Sequence, residues 1–463
     1  MGSFNFKKWN NILGWGVFTI ALITYWLTVE PTASFWDAGE YITTASNLEV
    51  GHPPGAPLYQ ILGAFFSIFA MGATKIALTI NLMSVFASAF TILFMFWSLT
   101  ILLSNIVSKN KELDANNQIA ILGSAVIGSL SFAFTDSFWF NAVEAEVYAM
   151  ATTIMSALFY VALRWERDMN TPRGDRWVIL IAFIIGLSFG VHFLGLLTIP
   201  AIGFLYFFKN YKTVTVKNFL IANVVMVAIL FFIFKLLLPM TMKFFSGSEL
   251  FFVNSMGMPF NSGTIIAAFL FLGASYFLLK FTRKKHFTQL NTLVLCILFI
   301  LIGFSSWIML PIRANAGTVI NENNPNNARE LLAYYNREQY PETHLFYGPM
   351  FTENYAGLDI DSPYKDDKPK YEKDEKTGKY IIVNDYKNAV QNFDNNHKAL
   401  LPRMWSTENA RNYLEFTDGL KFSIKGDYLN EPRLIEEVNK FKQAYNKGLV
   451  DSDDYHSFMT DFG

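Results

Sequence analysis

Charge and cysteine are what this 463-residue chain has least of. Only 16% of its residues are Asp, Glu, Lys or Arg, against roughly a quarter in soluble domains. Its one cysteine, Cys296, cannot close an internal disulfide, and its place in an apolar run makes it a small packing residue. Positive charge is not in excess either: 37 Lys and Arg stand against 38 Asp and Glu, for a net charge of -1. Once the loop cations are assigned to membrane topology, no basic surface is left for a nucleic-acid partner. Heptads and solenoid repeats are also missing. In their place are 52% apolar residues, 46 phenylalanines and a mean hydropathy of +0.26. Long apolar runs fill the chain up to Pro311, and Lys, Asp, Glu, Asn and Tyr crowd the remainder, so two regions meet different solvents.

Crossing a hydrocarbon core of roughly 30 Å takes about 20 apolar residues. Runs near that length cover 11–29, 76–107, 118–135, 147–163, 177–195, 197–208, 218–239, 263–281 and 288–311. These predict an all-α polytopic membrane domain over 1–311, with about nine transmembrane helices, and a smaller soluble region over 312–463. The run 76–107 is long enough for a strong tilt, whereas 197–208 is short unless it borrows residues across Gly195 and Pro200. The stretch 58–73 is either a tenth span or an interfacial helix, and loop charge decides between them. With 58–73 not crossing, Lys7 and Lys8, Lys109 and Lys111, Arg164, Arg167, Arg173 and Arg176, Lys209, Lys212 and Lys217, and Arg283, Lys284 and Lys285 all fall on one face. Cytoplasmic loops attract such residues. The opposite loops 30–74 and 136–146 contain no Lys or Arg, and 240–262 has only Lys243. Loops 30–74 and 136–146 and the region after Pro311 are therefore expected outside. The first apolar run is long and is followed by the poor cleavage sequence Pro31-Thr32-Ala33-Ser34, which favours an uncleaved signal anchor. The tail mixes turn-rich polar stretches with aromatic residues and is expected to fold, with 365–377 as a solvated loop.

This topology gathers polar residues on the outer face. The first external loop carries Asp37, Glu40 and His52; the second carries Glu144 and Glu146. Carboxylates beside lipid are costly to desolvate, which makes them site candidates. Each also has a structural reading. Ser34-x-x-Asp37 and Asn141-x-x-Glu144 fit helix capping boxes, whereas Glu146 has no such role. His52 orders a Pro/Gly turn or binds, and His192 is a buried core histidine or a site residue near the outer face. Arg313, just past a span, snorkels into headgroups or offers its planar fork of donors to a phosphate. Together they suggest an outer-face reaction in which an acid activates a hydroxyl while a cation holds a lipid-linked phosphate, with no metal or cofactor called for.

Specific stretches sharpen this. Phe35-Trp36-Asp37-Ala38-Gly39-Glu40-Tyr41, Gly51-His52-Pro53-Pro54-Gly55-Ala56-Pro57-Leu58-Tyr59 and Asn141-Ala142-Val143-Glu144-Ala145-Glu146-Val147-Tyr148 resemble a bacteroidete membrane-protein family related to the animal plexin-type protein O-mannosyltransferases. Leu310-Pro311-Ile312-Arg313-Ala314, Ile320-Asn321-Glu322-Asn323-Asn324-Pro325 and Arg337-Glu338-Gln339-Tyr340 match as well, so the resemblance covers roughly 10–340. It implies the C-type (GT-C) fold of lipid-phosphate-dependent glycosyltransferases. In that fold the first-loop acid matches Asp37, with Glu40 beside it, and the second-loop acids match Glu144 and Glu146. Arg313, His52 and His192 are assigned to the donor phosphate by position only. The implied function is an inverting transferase that moves a sugar, mannose first among candidates, from a polyprenyl-phosphate donor to Ser or Thr of an exported protein. The implied location is the bacterial inner membrane, with the site on the periplasmic face. The competing functions are a transporter or flippase of lipid-linked intermediates, a transferase acting on a lipid or glycan acceptor, and an accessory protein whose tail docks a partner. Transporters place ionisable groups near the midplane and often show inverted repeats; here the acids sit at one face and no repeat is evident.

Overall fold

A computed structural model describes residues 5–108, 114–172, 174–340, 344, 346–349, 358–359, 361–393, 395, 398–402, 409, 412, 424, 426–447, 449–450, 454 and 458. Of the loop cations, Lys109, Lys111 and Arg173 lie outside the described residues. The chain divides into two units, Met1–Gln339 and Tyr340–Gly463. The helical unit thus reaches well past Pro311, where hydropathy alone divides the sequence.

In the first unit α1 (Phe6–Leu27) is followed by two short helices, α2 (Ala38–Asn47) and α3 (Pro57–Ser67). At 11 residues α3 rises only about 16 Å, too little to cross a bilayer. Next come α4 (Ile76–Ser108), α5 (Ala115–Ala133), α6 (Asp136–Ala142), α7 (Val147–Asp168) and α8 (Gly174–Ser188). A 3-10 turn, Phe193–Thr198, leads into α9 (Ile199–Asn210), with Pro200 in the first turn where its missing N–H costs nothing. After α10 (Val216–Phe231) and α11 (Leu238–Leu250) come α12 (Ser262–Lys284), α13 (Thr288–Phe304), α14 (Met309–Asn315) and α15 (Ala328–Asn336).

Six of these helices or helix chains have the length and hydropathy to cross a membrane, and seven if the bent pair α5–α6 counts as one span: Ala73–Ser108, Val147–Asp168, Phe193–Asn210, Val216–Ser255, Ser262–Lys284 and Thr288–Asn315. The nine apolar runs each lie mostly on helix, with 177–195 broken at Phe189–His192, but α1 misses this set on hydropathy and α8, with 15 residues, on length. The short run 197–208 does borrow across Gly195 and Pro200. Residues 240–255, expected as loop, continue the helix begun at Val216. Pro239 follows a π-helical turn, Phe232–Leu237, whose widened ladder accommodates the missing donor.

One core packs α1, α4 and α5 through Val17, Tyr25, Val85, Ile92, Leu122 and Ala125. A second packs α7, α8 and α13 around Phe189, Phe304 and Trp307. In the latter, Gly186 and Gly303 let the α8 and α13 backbones touch: a Cβ on Gly186 would strike the Ile300 carbonyl, and one on Gly303 the Phe183 carbonyl. Such small-residue contacts replace the hydrophobic drive that lipid cannot supply.

Among its described residues the second unit contains three antiparallel pairs: β1 (Tyr347–Pro349) with β6 (Lys398–Leu400), β2 (Tyr364–Lys365) with β5 (Val390–Gln391), and β3 (Lys370–Asp374) with β4 (Lys379–Asn384). It also carries a 15-residue helix, α16 (Pro432–Asn446). The expected solvated loop at 365–377 is largely the β3–β4 hairpin. The Asp374 side chain accepts from Lys376 N–H and Thr377 Oγ1 and fixes its turn, while Tyr371 and Tyr380 supply the alternation that charge density masks.

Candidate active site

The loops 30–74 and 136–146 are stitched together rather than capped locally. Asn81, buried in α4, donates to the carbonyls of Glu30 and Thr32, and Glu30 N–H donates to Val143 O at 3.0 Å. Neither capping box forms. Asp37 occupies the N-cap of α2 but its side chain accepts no cap hydrogen bond, and Ser34 Oγ instead donates to Glu144 Oε2 at 2.6 Å, 110 residues away. The helix before Glu144 ends at Ala142, so Glu144 caps nothing; Asn141 Nδ2 donates to the Ser137 carbonyl. Asp37 N–H in turn donates to Glu146 Oε1 at 3.2 Å, and Glu146 sits in extended conformation at the start of α7.

At the head of α2 a second cluster forms. Glu40 accepts from the His52 backbone N–H at 2.7 Å and pairs with His52 Nδ1 at 2.9 Å; His52 Nε2 lies 3.9 Å from Asp37 Oδ2. The imidazole therefore stands between two carboxylates. Glycine makes this possible: a Cβ on Gly51 would lie 2.7 Å from Glu40 Oε1. Tyr41 packs against the rings of His52 and Tyr59 from behind.

Electrostatics separate the acids. The His52 hydrogen bonds hold the Glu40 carboxyl below the usual carboxylate value, and the same contact raises His52, with Arg337 opposing. Glu144 and Glu146 are both buried. Burial pushes Glu146 up to about 7, helped by the charges of Asp37 and Glu144, and burial also raises Glu144 against its Ser34 bond. Asp37 differs in access: its side chain is 58% exposed. Trp36, at φ 59° and 87% exposed, stands away from it and does not close it off from water.

The remaining sequence candidates lie elsewhere. Arg313 donates through Nε to the Leu48 carbonyl at 2.5 Å and through Nη2 to that of Asn47 at 3.1 Å. It thus caps the C-terminal end of the 10-residue α2, roughly 15 Å of helix away from Asp37. His192 Nδ1 accepts from Leu194 N–H and its ring lies 5.4 Å from that of Tyr148, so it caps the 3-10 turn after α8.

The cation near the acids is one that sequence reasoning left unassigned. Residues 318–337 fold back onto the first loop: Val50 N–H donates to Ile320 O, Glu322 N–H donates to Val50 O, and Tyr334 Oη donates to the Gly51 and His52 carbonyls at 2.6 and 3.2 Å. Gly55, at φ +72°, leaves room for the Tyr334 ring. Exposed Arg337 follows at the C-cap of α15 in a left-handed conformation, and its charge acts on His52. Its only signal was the Arg337–Tyr340 match to the family. Among the described residues no three His, Cys, Asp or Glu side chains converge as a metal site.

Comparison with known proteins follows the same segment. The chain is similar to a Dictyostelium discoideum protein named Protein O-mannosyl-transferase tmem260, with 30% identity over 196 residues, covering 40% of this chain and 22% of that protein. It is also similar to the Mus musculus Protein O-mannosyl-transferase TMEM260, with 25% identity over 173 residues, covering 37% of this chain and 22% of the relative. The match thus spans about a fifth of the length of these relatives. No solved structure matches. Residues 341–447 match a family of unknown function. Residues 37–215, which begin at Asp37 and contain Glu40, His52, Glu144 and Glu146, match the model of the protein O-mannosyl-transferase TMEM260 N-terminal domain, and in this segment the chain is similar to that family.

Proposed function

We propose that this chain is an inverting glycosyltransferase that moves a sugar from a polyprenyl-phosphate donor to Ser or Thr hydroxyls of exported proteins. Mannose is the sugar in the names of its relatives. The observation that carries the reading is the meeting of Asp37, Glu40, His52 and Glu146, where two carboxylates, the exposed Asp37 and Glu40, flank one imidazole beside a buried third acid, Glu146. Asp37 is the base: exposed and free of a cap bond, it takes the acceptor hydroxyl proton as that oxygen attacks the anomeric carbon from the face opposite the donor phosphate. The anomeric C–O bond to phosphate breaks, its electron pair leaves on polyprenyl phosphate, and configuration inverts. Glu40 orients His52, which turns its Nε2 toward Asp37 Oδ2 at 3.9 Å. Glu146 anchors the Asp37 backbone.

A cluster of acids repels a phosphate, so the donor needs a cation at its edge. Arg337 fills that role better than Arg313, whose donors are turned to the α2 carbonyls. The membrane domain has nine spans in the manner of the C-type glycosyltransferases, with α3 lying in the interface. The loop charges put the acids on the periplasmic side of a bacterial inner membrane. The test is to incubate membranes containing the chain with labelled polyprenyl-phosphate mannose or, separately, a nucleotide mannose. Label should reach protein from the lipid donor only, and transfer from the nucleotide sugar alone would end this reading.

A further inference from the structure

Away from the acids, an apolar cavity of about 570 Å³ opens between α8, α9, α10 and α13. Its walls include Ile185, Ile300, Ala222 and Cys296, and toward one end Trp165, Tyr206, Tyr211 and Asn218. The size is that of a small-molecule or lipid-chain site. It is not an extension of the acid cluster. Glu146 starts α7 and Trp165 stands in its last turn, so a rise of about 1.5 Å per residue separates the two by roughly 28 Å, nearly a full bilayer core.

The end marked by Trp165 belongs to the face that carries the basic loops. There the Trp165 and Tyr206 rings stack at 6.1 Å and 11°, as aromatic residues do at headgroup depth. Nearby cations divide into two sets. Lys209 is paired with Glu166 at 2.8 Å, and Arg164 lies over the Trp177 ring and donates to Tyr160 Oη. Lys212 and Lys217 are exposed, in the connection from α9 and the first turn of α10, directly beside the wall residues Tyr211 and Asn218. An apolar chamber at acyl-chain depth, an aromatic rim at headgroup depth and two exposed lysines at its edge together match one class of ligand.

We propose that this cavity holds an acyl chain of an anionic phospholipid from the leaflet on the basic face, with its headgroup on Lys212 and Lys217. Anionic lipid is favoured because each Lys near such a headgroup strengthens binding severalfold. The donor's polyprenyl phosphate is disfavoured because its phosphate would be held at the opposite face. The site stands on the cavity and on membrane insertion, and its failure leaves the transfer reaction untouched.

The test uses the full chain in phosphatidylcholine bilayers containing phosphatidylglycerol with a diazirine near the end of one acyl chain, followed by mass-spectrometric mapping of adducts. Adducts are expected on peptides around Ile202–Tyr211 and Ala222–Ile233, in excess over the lipid-exposed Phe269 and Phe277 of α12. Ala222→Trp should remove the cavity adducts and leave those on α12. The double change Lys212→Gln with Lys217→Gln should cut the preference over diazirine phosphatidylcholine by roughly tenfold. Even labelling of the cavity and α12 peptides in the unmodified chain overturns the site, whatever the folding of the variants. Equal cavity labelling by phosphatidylcholine overturns the headgroup assignment, and displacement of the probe by polyprenyl phosphate reassigns the cavity to the donor tail.

Discussion

Replacing Asp37 by Asn separates chemistry from architecture more cleanly than any other single change in this chain. The structural cost is small on every count the site offers. The side chain is 58% exposed, makes no cap hydrogen bond, and its nearest ionic partner, His52 Nε2, is 3.9 Å away. An exposed pair of this kind contributes about 0 to 1 kcal/mol, and Asn is as good an N-cap as Asp. The backbone N–H that Asp37 gives to Glu146 survives the change, as does the Glu40–His52 pair. The chemical cost is much larger. An amide cannot take the acceptor proton, and loss of a positioned base typically lowers the rate by about 10² to 10⁴, or about 3 to 5 kcal/mol of barrier. The assay is transfer of labelled mannose from polyprenyl-phosphate mannose to a Ser/Thr peptide by the purified protein. Donor binding and thermal melting are followed on the same preparations. Transfer should collapse while melting and donor binding hold. An Asn variant with near-normal transfer would refute the assignment and move the base to Glu40, Glu144 or Glu146.

Three further changes probe the neighbours. Arg337→Gln should weaken donor binding by tenfold or more, and Arg337→Lys should recover only part of it because the ammonium lacks the planar fork; an unchanged donor titration for both removes Arg337 from the phosphate. Arg313→Gln should lower thermal stability, by about 1 to 2 kcal/mol for the bonds lost to the Leu48 and Asn47 carbonyls, and leave the donor concentration dependence in place. Glu146→Gln should flatten a pH dependence: with the folded carboxyl at about 7 and the ordinary value at 4.5, the folded state holds a proton the unfolded chain has lost, so stability falls as pH rises from 4.5 to about 7. Melting curves from pH 4.5 to 8 should show that fall in the parent and a smaller one in the Gln variant, and equal slopes would mean that Glu146 is not the titrating group.

How much of this fold could be read in the sequence depends on the range of the interaction. Length and hydropathy locate helices because each satisfies its own backbone within one segment, as lipid demands. The long run 76–107 and the helix α4 therefore agree to within a residue. Bends and continuations depend on less visible forces. The 70° break between α5 and α6 follows an ordinary Phe134-Thr135 dipeptide, and the helix from Val216 runs on through Pro239 because a π-turn absorbs it. Nor does hydropathy show that residues past Pro311 belong to the helical unit. Tyr334 and Tyr335 are buried there by hydrogen bonds to the Gly51 and Phe234 carbonyls.

The site divides along the same line. The acids themselves were legible, since carboxylates in loops without cations beside lipid need a reason. Their partners were not. Capping boxes are local patterns, and both proposed here dissolve into bonds between loops 110 residues apart, where Ser34 meets Glu144 and the Asp37 backbone meets Glu146. The choice of cation turned on the same distinction. Arg313 drew notice because it follows a span, yet a guanidinium beside the carbonyl end of a helix is already matched to the negative pole of that dipole. Arg337 has no such local marker. It becomes a candidate only because Tyr334 docks α15 on the Gly51–His52 carbonyls and thereby carries the next turn toward His52. A Tyr334→Phe change, which removes that hydroxyl and little else, should therefore weaken donor binding in the same direction as Arg337→Gln, and a Tyr334→Phe protein with parental donor affinity would disconnect the two.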